Sequence, residues 1–203
     1  MRLYDSARGR VERLRPRPGR ALALYACGIT PYDTTHLGHG FTYLAFDGLA
    51  RHASVTHGWA VRYVQNVTDI DDDILKRARE TGEDWRALGR RWTDVLRRDL
   101  EALNLRPPDA LPGATSAIPA IVDNVAALVA TGRAYARQGS VYFRVASDPD
   151  FGAMARLPYE GLLALANERG NRPDDPNKDD PLDFVLWQAG APGEPAWRSP
   201  WGL

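Results

Sequence analysis

The sequence predicts an α/β fold in which a parallel sheet is followed by a smaller α+β region. A short apolar run at 21–27 lies between two glycines, which is typical of a central strand buried on both faces. A second, β-branched run at 60–67 follows a helical pattern, and a strand, helix and strand of this length form a parallel crossover. The Pro107-Pro108 pair ends the next helical pattern, so we predict one domain over 1–106 and a second over 107–203.

The composition excludes several classes of protein. The 203 residues carry 26 basic and 26 acidic side chains, which argues against a generally basic protein that coats nucleic acid. The 44% of hydrophobic residues are enough to form a buried core. A single cysteine, Cys27, excludes an intramolecular disulfide. The sequence has no long apolar run and no signal peptide, so we expect a cytoplasmic protein without a membrane partner. It contains no signal for an oligomeric state.

In the first region the patterns predict a strand at 21–27, a helix ending near residue 58, a strand at 60–67, a helix opening in the acidic turn 68–73, and a helix over 84–105. The first of these helices should be capped by Thr34 or Thr35 and should bury Phe41, Leu44 and Leu49 on its apolar side.

The second region is predicted to mix short helices with a hairpin. Its patterns predict a helix at 118–131 closed by Gly132, a hairpin of 134–137 and 140–145, a helix at 158–169 stopped by Gly170, an exposed loop at 171–180 and an apolar stretch at 182–187. Gln138-Gly139 supplies the hairpin turn.

The segment 27–39 carries the densest chemical signal, because it runs from the end of the first strand into the first helix. Ligands of open α/β sheets bind beyond the carboxyl ends of the strands, where a helix N-terminus attracts phosphate. His36 and His39 lie on one face of the first turn and could address one phosphate group, and Gly38 would let a flat base or sugar approach the backbone. A capped helix with two merely polar histidines is the alternative.

An acidic cluster follows the second strand at Asp69, Asp71, Asp72 and Asp73. It could hold magnesium. Helix capping and surface pairs, Asp72 with Lys76 and Asp73 with Arg77, explain it more simply.

Two motifs resemble a known family. The string His36-Leu37-Gly38-His39 resembles the His-Ile-Gly-His signature of class I aminoacyl-tRNA synthetases, and residues 27–33 before it are similar to cysteinyl-tRNA synthetases. The resemblance continues to Pro200-Trp201-Gly202. It implies half of a Rossmann-type catalytic domain, of the nucleotidyl-transferase kind that carries this signature, followed by a connective domain. It also implies ATP-dependent activation of L-cysteine to cysteinyl adenylate and its transfer to tRNA(Cys).

The resemblance also implies roles for individual residues. His36 and His39 would be catalytic, and would bind ATP, with its Mg²⁺, together with Thr30 and Gly38. The amino-acid pocket would be formed by Cys27, Gly28, Thr30 and Thr68. Cys27 would be one ligand of Zn²⁺, which selects a thiolate over a hydroxyl. In the family the other zinc ligands follow later, so a chain ending at Leu203 is expected not to aminoacylate alone, and to be a fragment or a degenerate paralogue.

A related family keeps a second function open. Mycothiol cysteine ligases join cysteine to an aminosugar and share the Thr-Pro-Tyr-Asp and His-Leu-Gly-His forms. Their Glu-Arg-Gly-Gly-Asp-Pro element matches residues 168–173 only in part, because Asn171 and Arg172 depart from it. We rank the tRNA ligase first, because Asp69-Ile70-Asp71-Asp72, the Lys76-Arg77-Ala78 that follows and residues 184–187 resemble it more closely. A nucleotide-binding paralogue without catalytic activity is the third interpretation.

Overall fold

The computed structural model describes residues 1–203 as two compact units. The first unit contains Met1–Leu3 and Val11–Ala117, and the second contains Tyr4–Arg10 and Ile118–Leu203. The chain forms seven strands and five α-helices, with a π-helical turn at His52–Thr56 and a short 3-10 turn at Val145–Ser147. No helix combines the length and the apolar character that crossing a membrane requires.

Apart from two short N-terminal strands, which the sequence did not predict, the elements follow the predicted order. The strands are β1 (Arg2–Asp5), β2 (Arg10–Arg13), β3 (Leu22–Ile29), β4 (Val61–Val67), β5 (Ala134–Arg137), β6 (Ser140–Phe143) and β7 (Phe184–Trp187). The helices are α1 (Leu37–Arg51), α2 (Asp72–Thr81), α3 (Trp85–Ala102), α4 (Ala114–Ala130) and α5 (Tyr159–Glu168). The predicted helices, strands and hairpin are therefore confirmed, apart from the differences described below.

A parallel pair of strands organises the first unit. Strand β3 pairs with β4 from Leu22 opposite Val61 onward, and the register shifts between Ala26 and Ile29. The segment 109–113 lies along the other edge of β4, where Gln65 N–H donates to the Ala110 carbonyl at 3.1 Å. The sheet order is therefore 109–113, then β4, then β3.

This third segment explains why the first unit continues beyond residue 106. Pro107-Pro108 does end the helical pattern, but the residues after it return to the sheet instead of leaving the unit. The Asp109 carboxylate accepts the Tyr63 N–H at 2.6 Å, which fixes the start of the segment against β4. The two units consequently divide between Ala117 and Ile118, within helix α4.

Strand β3 is an edge strand in the first unit, and the prediction of a central strand buried on both faces was wrong for this chain. Its burial alternates, with Leu22, Ala26 and Ile29 buried and Tyr25 61% exposed. The reason is that only one edge of β3 has a strand partner, and only one face is covered by helices.

The predicted apolar face of α1 was also wrong. Phe41 and Leu44 are 76% and 57% exposed, whereas the buried residues are Tyr43, Asp47 and Ala50. Tyr43 packs with residues of β3 and α3 in a cluster that consists of Ile29, Tyr43, Leu96, Leu100 and Leu105. The buried Asp47 carboxylate is satisfied there, since it accepts Arg51 Nε at 2.6 Å and the Arg106 N–H at 2.9 Å.

The second unit is built on the antiparallel sheet β5-β6-β7. Helix α4 covers it through a core of Val125, Ala134, Val141 and Trp187, against which Trp197 and Trp201 also pack. The predicted turn is confirmed, because Gln138 and Gly139 have φ of 50° and 81°, the left-handed values that a tight hairpin needs. Loop 171–180, predicted as merely exposed, is held by side-chain bonds such as Tyr142 Oη to Asp175 at 2.8 Å.

Candidate active site

The carboxyl ends of β3 and β4 are joined by the side chain of Asn66. Its Oδ1 accepts the Gly28 N–H and the Tyr25 hydroxyl, each at 2.8 Å. The backbone approach is close, because a Cβ built on Gly28 would lie 1.5 Å from the Asn66 carbonyl oxygen. Only glycine fits at position 28. Cys27, the residue before it, is exposed at this strand end.

Thr68 lies beside these residues on the second strand end. Its N–H donates to the Ile29 carbonyl at 2.9 Å, and its Oγ1 lies 3.4 Å from Asn66 Nδ2. Along β4 the side chains of Asn66 and Thr68 alternate with buried Gln65 and Val67, so they point to the face that the helices leave open. Of the predicted pocket residues, Cys27, Gly28 and Thr68 are thus brought to one edge.

Thr30 follows β3 directly and is half-buried, with its carbonyl accepting the Tyr32 N–H at 3.0 Å. Its role in the pocket and in ATP binding stays a prediction.

His36 and His39 form a reciprocal cap at the start of α1. His36 is the N-cap residue, so Thr34 and Thr35 are not, and its Nδ1 accepts the Gly38 N–H at 3.1 Å. The His36 N–H donates in turn to Nδ1 of His39 at 3.3 Å. The two rings stack with centroids 3.9 Å apart. Thr35 is not the cap because its hydroxyl bonds to the Asp99 carboxylate instead.

These bonds decide the protonation of the two rings. A Nδ1 that accepts an N–H carries a lone pair, so the neutral form of each ring holds its proton on Nε2. Burial, followed by repulsion from His36, lowers the pKa of His39 below 6.5, which favours the same neutral form near pH 7. The pair therefore offers two N–H donors beside the positive end of α1.

Gly38 is required by the histidine pair itself. A Cβ at this position would lie 2.8 and 2.9 Å from two atoms of the His36 ring. The absence of a side chain lets His36 fold back over the first turn. Ligand approach, which the sequence suggested, is therefore not needed to explain Gly38, and Gly48 has no neighbour within 4 Å to explain it by close packing.

The acidic cluster serves the fold. The Asp69 carboxylate accepts the Thr115 N–H at 2.8 Å and the Thr115 hydroxyl at 2.6 Å, which fixes the start of α4. Asp71 caps α2 by accepting the Asp73 N–H at 3.1 Å. The expected pair of Asp73 with Arg77 does not form, because Arg77 lies 3.9 Å from Asp33 and 3.6 Å from Glu80.

The described residues do not supply enough ligand side chains for the predicted metal sites. No group of three or more His, Cys, Asp or Glu side chains lies close enough together to hold a metal ion. Cys27 has no second thiol or histidine ligand beside it, so the described residues do not fit a closed zinc site.

A separate cleft of about 560 Å³ lies on the helix-covered side of the sheet. Helix α3 lines it with Arg86, Arg90 and Arg97, and Val67 and Asp69 also line it. Because none of Cys27, Gly28 and Thr68 lines it, this cleft is distinct from the Cys27 and Thr68 edge.

Asn66 and Tyr25 also belong to the candidate site, and the sequence did not predict them. The alternation of side chains along a strand was the available signal, since Asn66 lies two residues before Thr68 and Tyr25 two residues before Cys27. That signal places both on the open face but does not reveal the hydrogen bonds between them.

A parallel sheet whose strand ends meet a helix N-terminus defines a Rossmann-type domain. Residues 14–203 match the family described as the catalytic domain of class I (C) tRNA synthetases. The chain belongs to this family, as its motifs predicted.

Curated relatives match this chain over its whole length. It is 49% identical over 203 residues to the L-cysteine:1D-myo-inositol 2-amino-2-deoxy-α-D-glucopyranoside ligase of Thermomonospora curvata, and 48% identical over 202 residues to the ligase of the same name from Frankia casuarinae. The two matches cover all of this chain but only 48% and 43% of those proteins. The chain thus spans about half the length of the curated relatives it matches.

Solved structures agree on the fold. Mycobacterium tuberculosis methionyl-tRNA synthetase in complex with methionyl-adenylate matches 81% of this chain and 44% of that chain with a TM-score of 0.56, at 17% identity. The LeuRS of Agrobacterium radiobacter K84, in a ternary complex with tRNA, matches 64% of this chain and 17% of that chain with a TM-score of 0.52, at 18% identity. These likenesses establish the class I synthetase fold.

Proposed function

We propose that this chain supplies the amino-acid and ATP sites of a ligase that activates L-cysteine as cysteinyl adenylate and passes the cysteinyl group to the amine of an aminosugar. The observation that carries the proposal is the edge at which Cys27, Gly28 and Thr68 meet, because the loop that leaves it leads into the helix capped by His36 and His39. A pocket for a small amino acid and a donor site for phosphate then adjoin along the chain.

The histidine pair would act in the first half-reaction. A carboxylate oxygen of cysteine attacks the α-phosphorus of ATP, and the bond from that phosphorus to the pyrophosphate oxygen breaks. Negative charge builds on the oxygens around the α-phosphorus, where the Nε2–H groups of His36 and His39 and the N-terminus of α1 would stabilise it. ATP would enter with Mg²⁺, as in the family that the motifs resemble.

The second half-reaction would transfer the cysteinyl group. The acceptor amine attacks the carbonyl carbon of the adenylate, AMP leaves through its phosphate oxygen, and the nitrogen loses a proton. The chain needs no covalent intermediate of its own, so positioning of the two substrates provides most of the rate.

The relatives support an aminosugar acceptor over tRNA. The proteins that match the whole chain at 48% and 49% identity are named as ligases that join L-cysteine to an amino-deoxyglucopyranoside of myo-inositol. We therefore rank this acceptor above tRNA(Cys), which reverses the order that the sequence motifs suggested.

The test uses the full-length protein with ATP, L-cysteine and either glucosaminyl-inositol or tRNA(Cys). We expect an amide of cysteine with the aminosugar, identified by mass spectrometry, and no cysteinyl-tRNA. Formation of cysteinyl-tRNA alone would overturn the acceptor assignment. Binding of ATP without cysteine-dependent pyrophosphate exchange would overturn the ligase and favour a non-catalytic paralogue.

A further inference from the structure

Asn66 connects the two strand ends through both atoms of its side-chain amide. Oδ1 accepts from Tyr25 Oη and from Gly28 N at 2.8 Å each, and Nδ2 faces Thr68 Oγ1 at 3.4 Å. One side chain therefore contacts the residues that flank the predicted cysteine pocket on both strands.

The Gly28 N–H fixes the orientation of this amide. If the amide were rotated by 180°, Nδ2 would face the Gly28 N–H, and two donors would oppose each other. Nδ2 must then point toward Thr68, whose Oγ1 acts as the acceptor. The hydroxyl proton of Thr68 is left free to be donated to another group.

The backbone geometry leaves little freedom for this connection to change. The register of β3 and β4 shifts between Ala26 and Ile29, and Cys27 and Gly28 occupy the irregular stretch. Within it, the space at Gly28 is filled by the carbonyl of Asn66. The position of Cys27 relative to Thr68 is consequently set by Asn66 together with the Thr68 N–H bond to the Ile29 carbonyl.

We infer that Asn66 is a positioning residue for the amino-acid substrate. It holds the strand end of Cys27 at a fixed distance from Thr68, and it keeps the Thr68 hydroxyl as a hydrogen-bond donor to an acceptor atom of the bound cysteine. Asn66 itself does not contact the substrate. This inference rests on the proposed function and deepens it, because it names a determinant of cysteine binding.

The test is Asn66→Asp in the full-length protein, assayed by ATP–pyrophosphate exchange and by calorimetric binding of L-cysteine. A carboxylate still accepts from Gly28 and Tyr25 but cannot donate to Thr68, whose proton then turns toward it. We expect KM and the dissociation constant for cysteine to rise about tenfold, as for the loss of one ordinary hydrogen bond. KM for ATP and the melting temperature should stay unchanged.

Thr68→Val provides the second arm, because it removes the same hydroxyl donor. If the two residues act together, the double variant raises KM for cysteine little beyond either single variant. Asn124→Asp is the matched control, since Asn124 lies on α4 and its side chain bonds only to the Ala120 carbonyl of its own helix.

Two results would overturn the inference: an unchanged KM for cysteine in Asn66→Asp, or independent, multiplying effects in the double variant. Failure of the proposed function is distinguishable from failure of this inference, because in that case the unmodified full-length protein shows no cysteine-dependent exchange.

Discussion

The capping of α1 by two histidines is unusual in its chemistry. Ser, Thr, Asp and Asn are the common N-cap residues, and each satisfies a backbone N–H with an oxygen. Here imidazole nitrogens accept from the N–H groups of His36 and Gly38, so the same rings that cap the helix expose their Nε2–H groups. Structural and proposed catalytic roles are thereby combined in one pair of side chains.

Gly38→Ala separates these two roles. The new Cβ displaces the exposed His36 ring and removes a cap that contributes about 1 kcal/mol, while alanine regains up to about 1 kcal/mol of helix propensity. We expect the free energy of unfolding to change by less than about 1 kcal/mol, and ATP–pyrophosphate exchange in the full-length protein to fall by about 10²-fold.

Gly48→Ala is the control for that variant, because its Cβ enters open space on the same helix. It should stabilise the protein by up to about 1 kcal/mol and leave exchange unchanged. Equal activity of the two variants would contradict the account of Gly38.

The pKa of His39 provides a direct check on the pair. Burial and the neighbouring His36 lower this pKa, so an NMR titration should give a midpoint below 6.5. Below that midpoint Nδ1 gains a proton and can no longer accept the His36 N–H. Stability from the cap is thus present above pH 6.5 and is lost as pH falls through the lowered pKa. A midpoint at or above 6.5 would contradict this geometry.

At the scale of single residues, the sequence predicts candidates for the site but not how they are arranged. Spacing and motif single out His36, Gly38 and His39, while the stacking of the rings depends on rotamers that no pattern encodes. Asn66 was missed for the same reason.

At the scale of elements, the segment 109–113 is the least expected feature. It is short, contains Pro112 and follows Pro107-Pro108, so no β pattern marks it, and it forms only two isolated bridges to β4. Asp109 compensates by accepting the Tyr63 N–H, a bond that lowers the pKa of its carboxyl, to which Arg106 also contributes. Pairing with β4 thus keeps the residues after Pro107-Pro108 in the first unit.

Asp109→Asn tests this attachment. The amide can still accept the Tyr63 N–H but loses the charge, so we expect about 1 kcal/mol of destabilisation at pH 7, measured by chemical denaturation. Because the folded pKa lies below 3.8, the carboxylate stabilises the protein above pH 3.8, and this contribution is lost as pH falls through the folded value. The difference between the proteins should therefore shrink in acid.

Asp123→Asn is the matched control, since Asp123 is an exposed aspartate within α4. It should change stability by less than about 0.5 kcal/mol at pH 7. A constant difference between Asp109→Asn and the unmodified protein at every pH would contradict the role given to the Asp109 charge.

At the scale of the whole molecule, the order of elements was predictable and the faces were not. Apolar runs, Gly132, Gly170 and the Gln138-Gly139 turn mark the elements, because each has a local physical cause. The covered faces of β3 and α1 depend on what packs against them. Phe41 and Tyr25, which an apolar pattern would bury, are exposed. The chain spans about half the length of its curated relatives.

The most direct test of the proposed chemistry is ATP–pyrophosphate exchange by the full-length protein and by its His39→Asn variant. We predict exchange that depends on L-cysteine and is not supported by L-serine. His39→Asn should lower kcat by about 10²- to 10³-fold while KM for cysteine stays unchanged, because the lost Nε2–H acts on charge formed in the transition state. Exchange that does not require cysteine, or that survives His39→Asn intact, would contradict the assignment of this edge as the site of cysteine activation.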